Sequence, residues 1–383
     1  MAGTKRSSGG FKTAPRRPRG RAVLQRPHGR RAAKQCDERA PVHSITSSAR
    51  SRNDSGIVGP MRALALSVVA AAGLGTTLAA AADLKIGERT PAPNANSWDF
   101  AFGAAVMSDY NFRGVTWSAH RPSFEAYVEP RYRPAATLEL YAGVYGSSID
   151  LPNRPIAQIA YYAGIRPKFG ALLLDLGGWY IDYPGGTTFN GRGSADTCTN
   201  GAFFFGQCNT SKAVASFFEA YARPTLPIND TVTVGGNAYY APSWANTGAP
   251  GTYVSMTAKL TVPTSMLPRD IGAYASAEIG HYWFGTTDAF YGVPAFPAGI
   301  RLPNYTTWNL GLTMNYKQLS LDLRYYDTNL SKANCNVLTN DHTATFGGAA
   351  AITPINPSGL VSNWCSAAFV AKLAFDVALS GLR

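Results

Sequence analysis

The stretch Trp98-Asp99-Phe100-Ala101-Phe102-Gly103-Ala104-Ala105-Val106-Met107 decides how this chain folds. Trp98, Phe100, Phe102, Ala104 and Val106 fall on one parity, and Asp99, Ala101, Gly103, Ala105 and Met107 on the other. A period of two belongs to a β-strand, whose side chains point alternately to opposite sides of the sheet. One face is wholly apolar while the other carries a carboxylate and small residues, so this strand divides an apolar environment from a polar one.

The same alternation recurs along the chain. Phe124, Ala126 and Val128 alternate with Glu125, Tyr127 and Glu129, and Leu138, Leu140, Ala142 and Val144 with Glu139, Tyr141, Gly143 and Tyr145. Further segments lie at 158–166, 172–181, 214–224, 231–240, 253–260, 271–283, 308–316, 319–326 and 369–379, making twelve in all. A soluble sandwich also alternates, but the connections discriminate. Short links at 133–137, 167–171, 225–230, 261–270 and 317–318 alternate with long ones at 111–122, 146–157, 182–213, 241–252, 284–307 and 327–368. Tight turns on one side, extended loops on the other and an even strand number are the plan of a bacterial outer-membrane barrel.

The expectation is therefore an all-β, closed antiparallel transmembrane β-barrel of twelve strands, with short periplasmic turns and long outer loops. Lipid offers the backbone no hydrogen-bond partner, so a spanning sheet must close. Trp98, Tyr110, Tyr132, Tyr240, Trp283, Trp308 and Tyr316, near strand ends, are expected in the interfacial aromatic girdles. The last segment keeps Lys372 and Asp376 on one face, but Ser380-Gly381-Leu382-Arg383 follows it in place of a terminal aromatic.

Composition agrees. Among 383 residues there are 38 Gly, 20 Tyr and 18 Phe with only 15% charged, a profile that suits aromatic-rich β-structure. A mean hydropathy of −0.10 excludes a bundle of membrane-spanning helices. The formal charge of +12 resides in residues 1–82, which hold 15 Lys/Arg and 3 Asp/Glu, whereas residues 83–383 hold 20 of each. A nucleic-acid partner thereby loses its support.

Residues 1–60 are Arg/Ser/Pro/Gly-rich without apolar periodicity and read as a disordered basic leader, best explained by an over-extended start. Residues 61–82 read as a signal peptide: Met61-Arg62, an apolar run over 63–78, then Ala80-Ala81-Ala82, with cleavage between Ala82 and Asp83. Residues 83–97 are then a periplasmic N-terminal segment and 98–383 the barrel. The exported chain keeps Cys198, Cys208, Cys335 and Cys365, an even number in an oxidising compartment, so disulfides are expected. The first two share one long loop and the last two another, which favours pairing within each loop. No C-x-x-C spacing supports zinc.

Met107-Ser108-Asp109-Tyr110-Asn111-Phe112-Arg113-Gly114-Val115-Thr116-Trp117-Ser118, continued by Pro122-Ser123-Phe124-Glu125-Ala126-Tyr127, resembles the first hairpin of the TorF-type porin family of proteobacteria, with its S-D-Y-x-F-R-G motif. From about Trp98 onward the likeness is looser. The resemblance implies an outer-membrane location and a pore function, with no assigned substrate. Parity counted from Trp98 turns Tyr110 and Phe112 outward and Asp109, Asn111 and Arg113 into the lumen. The motif could instead serve hairpin folding around Gly114.

His120, His281 and His342 are widely separated, and no nucleophile, metalloprotease or phosphate-loop motif lies in a suitable context. The chain is accordingly not expected to be an enzyme or to hold a cofactor or metal; a lipid-hydrolase barrel and a structural or adhesive barrel are the alternatives. The expected function is passive diffusion of small hydrophilic solutes or ions through a narrow, mixed-charge lumen.

Parity assigns Asp109, Arg113, Glu125, Glu129, Arg131, Arg133, Glu139, Arg166, Asp175, Glu219, Arg223, Lys259, Glu278, Asp322, Arg324, Lys372 and Asp376 to the pore wall. Mixed signs imply weak ion selectivity, and twelve strands imply a bore between the filled barrels of about eight and the open ones of about sixteen. Arg113 is expected to pair with Glu125 or Glu129, and Asp175→Asn to be tolerated. The expected partners are outer-membrane lipid, the diffusing solutes and the barrel assembly machinery, with a monomer favoured.

Overall fold

The computed structural model describes residues 97–190 and 209–379. The leader, the signal peptide with its Ala82–Asp83 junction, and Cys198 and Cys208 lie outside the described residues. The long strands are β1 (Ser97–Met107), β2 (Ser123–Ala135), β3 (Leu138–Ser147), β4 (Gln158–Phe169), β5 (Leu172–Asp182) and β6 (Phe217–Pro227). They continue as β7 (Val232–Ala241), β8 (Gly251–Thr261), β9 (Ile271–Phe284), β10 (Tyr305–Tyr316), β11 (Leu319–Thr328) and β12 (Ala368–Ala378). Each pairs antiparallel with the next, and β12 returns to β1 with Ala101 opposite Ala378 and Met107 opposite Lys372. The sheet is a closed twelve-stranded barrel.

The alternation in the sequence becomes the two faces of this wall. In β1, Trp98 is 67% exposed on the outside while Asp99, Ala101, Ala105 and Met107 are buried inside. Phe124, Val128, Leu140, Val254, Met256, Leu310 and Leu323 continue an exposed apolar belt on the other strands. So large an apolar surface on a closed sheet calls for lipid against it. Strands of 10 to 14 residues are long enough to cross at a tilt. Among the described residues no helix is long and apolar enough to cross a membrane; the strands do so.

Two-residue turns at Ala136-Thr137, Gly170-Ala171 and Lys317-Gln318 close one end, with Gly170 and Lys317 in the left-handed region (φ 61° and 53°). The long loops gather at the other end. The last of them holds α1 (Lys332–Thr339), capped by the Ser331 hydroxyl accepting from Asn334 N at 3.1 Å and ended by left-handed Asn340. The Cys335–Cys365 disulfide closes this loop on itself.

One girdle assignment is overturned. Tyr110 and Phe112, expected on the lipid side, are 1% and 2% exposed. The chain leaves the wall after Met107 because Asp109 draws the following residues inward: its carboxylate accepts from the hydroxyls of Thr116 and Ser118 and meets His120 Nδ1 at 2.9 Å. Trp98, Tyr240, Trp283, Trp308 and Tyr316 do face outward, and Tyr132 packs on Trp98 with ring centroids 4.9 Å apart.

Candidate functional site in the barrel interior

The first outer loop enters the barrel as a small hairpin, Asn111–Phe112 against Val115–Thr116. Its two-residue turn places Arg113 at φ 52° and Gly114 at φ 85°, and two positive φ values define a type I′ turn. A Cβ on Gly114 would lie 2.4 Å from Thr307 Oγ1 and Thr328 Cγ2, so the tip is seated on β10 and β11 with room for glycine alone.

From this tip the Arg113 guanidinium crosses to Glu219 on β6. Nη1 donates to Oε1 and Nη2 to Oε2, both at 2.9 Å, and Nη1 also donates to the Tyr282 hydroxyl at 2.9 Å. The cation lies 4.2 Å from the ring centroid of Tyr239, 4.6 Å from Phe112, 4.7 Å from Tyr253 and 5.2 Å from Tyr282. Glu219 is held independently as well, accepting from Trp179 Nε1 at 3.0 Å and the Tyr282 hydroxyl at 3.1 Å. The expected pairing of Arg113 with Glu125 or Glu129 is thus incorrect. Glu125 lies opposite Ala105, still on the wall, whereas Arg113 projects from a loop that has already turned away.

The rings around Arg113 belong to a continuous aromatic band on the inner wall. Trp179 stacks on Tyr239 (5.3 Å), Tyr239 meets Tyr253 (6.2 Å), Tyr253 meets Tyr282 (5.4 Å), and Tyr282 stacks on Phe284 (4.2 Å). These aromatics were not singled out from the sequence; that they form one band across β5 to β9 depends on neighbouring registers that no single segment reveals.

Toward the end with the short turns the interior becomes ionic. Arg166 donates to Glu139 at 2.8 Å, to Glu129 at 3.0 Å and to Asp175 at 3.3 Å, with its guanidinium 3.7 Å above the Tyr141 ring. Arg131 holds Glu129 at 2.6 Å, Arg223 holds Asp175 at 2.5 Å, and Arg133 joins Glu139 at 2.8 Å to Asp99 at 3.4 Å. Asp99 is a member that the parity list omitted.

A second network lies across the bore. Arg324 donates to Asp322 at 3.0 Å, Asn309 at 2.7 Å and Ser276 at 2.9 Å, and Glu278 accepts from the Tyr253 hydroxyl and from Asn309. Lys372 pairs with Glu125 at 2.7 Å, Asp376 accepts from the Tyr127 hydroxyl at 2.9 Å, and the Lys259 ammonium lies 5.2 Å from the Tyr274 ring centroid. All seventeen residues on the parity list except Asp109 and Arg113 therefore sit on barrel strands; those two sit in the first outer loop. Glu129, Glu219 and Arg324 are completely or almost completely buried, so water does not reach them in this conformation.

Above the hairpin the outer loops enclose a cavity of about 240 Å³, lined by polar side chains including Asn209, Asn336, Asn356 and Ser358. It shares Thr247, Tyr291, Leu338 and Asn340 with an aromatic cavity of about 80 Å³ bounded by Phe112, Trp117, Trp244, Tyr282 and Tyr305. The Asn209, Asn336 and Asn356 amides bond mainly to one another and to backbone, which makes them a brace for the loops. At the rim, His120 meets Asp109 at 2.9 Å through Nδ1 and the Asn363 carbonyl at 3.1 Å through Nε2. The hydrogen bond to Asp109 raises the imidazole pKa above its ordinary value. Among the described residues no group of three or more His, Cys, Asp or Glu could hold a metal ion.

A closed twelve-stranded barrel with an apolar outer belt and an ionised inner wall defines a transmembrane β-barrel, a fold type that bacterial outer-membrane proteins share. Residues 91–215 match a family model described as a bacterial protein of unknown function (Gcw_chp). Similar solved structures include OmpT of Vibrio cholerae, an outer membrane protein, in a form lacking loop L8, at 10% identity and TM-score 0.30, covering 74% of this chain and 100% of that one. They also include the NanC porin, at 7% identity and TM-score 0.33, covering 73% and 99%. A third is CdiB from Escherichia coli, at 12% identity and TM-score 0.33, covering 73% and 50%. No curated protein matches the chain.

Proposed function

We propose that the protein is an outer-membrane channel for passive diffusion of small hydrophilic solutes through a narrow, mixed-charge lumen, held shut in this conformation by its first outer loop. The observation that carries this reading is the ionised inner wall. Buried ion pairs seldom stabilise a protein more than apolar side chains of the same volume would. A barrel serving only as an anchor or scaffold has no need of Arg131, Arg166, Arg223, Glu129 and Asp175 in its bore, whereas a polar solute path does. The likeness of residues 107–127 to TorF-type porins supports the same reading. Its partners are then outer-membrane lipid, the permeating solute and the barrel assembly machinery, and it works as a monomer without catalysis.

The test is conductance of purified, folded protein in planar bilayers. Wild type should show small, intermittent openings with weak preference between cations and anions, and Arg113→Ala larger and longer ones. Silence from both proteins, with folding verified, would mean that the barrel is a structural element and not a channel.

A further inference from the structure

The Arg113 side chain occupies a position on the wall that has the attributes of a ligand site. Glu219, Tyr239, Tyr253 and Tyr282 all come from barrel strands, and the Glu219 carboxylate is oriented by Trp179 and Tyr282 independently of the loop. A fully buried carboxylate without a counter-ion is costly, so this wall demands a cation. Two carboxylate oxygens side by side fit a planar guanidinium fork better than a spherical ammonium, and the surrounding rings add cation–π attraction.

The cation itself arrives from elsewhere. It sits at the first position of a type I′ turn, where Asn, Asp or Gly is the usual residue and arginine is strained at φ 52°. Strain at a defined point is retained when the side chain placed there is needed. The aromatic cavity ends on Phe112 and Tyr282, both in contact with the guanidinium, so the space enclosed by the outer loops reaches this spot.

We infer that Arg113 is a tethered ligand: the inner wall carries a guanidinium-binding site built from Glu219, Tyr239, Tyr253 and Tyr282, for which small solutes bearing a guanidinium group compete. The solute role rests on the channel reading, whereas the site does not. An anionic solute cannot take the place of Arg113 on Glu219; a guanidinium solute replaces Arg113 without leaving Glu219 bare. Displacement of Arg113 also frees the hairpin that closes the bore, so the solute that fits the site is the one that opens the path.

The experiment titrates folded protein in detergent with methylguanidinium, followed by tryptophan fluorescence, since Trp179 bonds to Glu219. Arg113→Ala should bind it saturably at about millimolar concentration, as befits so small a ligand. Wild type should bind at least about tenfold more weakly, and the double variant Arg113→Ala/Glu219→Gln not at all. Sodium and methylammonium should compete poorly. If Arg113→Ala folds badly because Glu219 is left unpaired, refolding with methylguanidinium should restore it, and failure to do so counts against the site. Absence of saturable binding by folded Arg113→Ala, or binding undiminished by Glu219→Gln, overturns the inference. Binding with no conductance in any variant would sink the channel reading and leave the site; conductance without binding would do the reverse.

Discussion

Replacing Arg166 by methionine removes the hub of the ionic cluster with little change in side-chain length. The cluster contains Arg131, Arg133, Arg166 and Arg223 against Asp99, Glu129, Glu139 and Asp175, four of each sign. The substitution leaves one negative charge in excess around a side chain that is only 2% exposed. Removing one partner of a buried pair costs about 3–5 kcal/mol. Glu129 keeps Arg131 and Asp175 keeps Arg223, so the loss should fall at the lower end, about 3 kcal/mol. Arg166→Met/Glu129→Gln restores the balance of charge and should recover about half of that loss, a coupling typical of contacting residues. Arg166→Lys keeps the charge but cannot reach three carboxylates as a fork does, and should lie between. Reversible urea unfolding from lipid vesicles, read by tryptophan fluorescence, measures all four proteins. A loss below about 1 kcal/mol for Arg166→Met, or a double variant no more stable than the single one, would show that the cluster is wetter and looser than its geometry implies.

Other perturbations probe the remaining parts. Arg placed at lipid-facing Leu174 should cost about 2–4 kcal/mol near the membrane midplane, measured in the same unfolding assay. Asp175→Asn, which parity alone treats as harmless, should now cost about 1–3 kcal/mol, because Arg166 and Arg223 both bond to that carboxylate; an unchanged midpoint would refute the network. The His120 pKa is raised by its hydrogen bond to Asp109, with Asp341 adding to it and the exposed Arg121 next in the chain. A raised value means that the protonated latch is fully present below about pH 6.5 and is lost as pH climbs through the folded value. Protection of amides in 108–122 and near Asn363, taken relative to their intrinsic exchange rates at each pH, should therefore fall above neutral pH, and His120→Gln should abolish that fall. Reduction of Cys335–Cys365, 30 residues apart, should release about 3–4 kcal/mol of loop-closure constraint. Proteolysis should then cut the last outer loop while the strands stay intact.

The wall was legible in the sequence and the inward hairpin was not, for a physical reason. In β1 each side chain faces either lipid or lumen, so Phe100 and Phe102 against Asp99 and Gly103 write the two environments into consecutive letters. Tyr110 and Phe112 continue the outward parity even though the chain has already left the sheet, and nothing local marks the departure. The type I′ turn lacks its usual signal because arginine stands where asparagine would. Arg113 and Glu219 are 106 residues apart, and their meeting depends on how far an inward loop reaches across a closed bore. Parity likewise assigned faces to the charges without naming their partners, which is why Asp175 looked expendable. The Cys335–Cys365 link could be read because both residues belong to one loop.

The seam between β1 and β12 also sets the order of events during assembly. The first strand of the wall waits for the last: every other interstrand contact can form while the chain is still arriving, but the ring is complete only when residues 372–378 zip onto 101–107. Until then β1 and β11 each expose a row of unpaired amides and carbonyls, which hydrocarbon cannot accept. A chain truncated before β12 should thus lose far more than one-twelfth of the wall, because both of these edges would stay open.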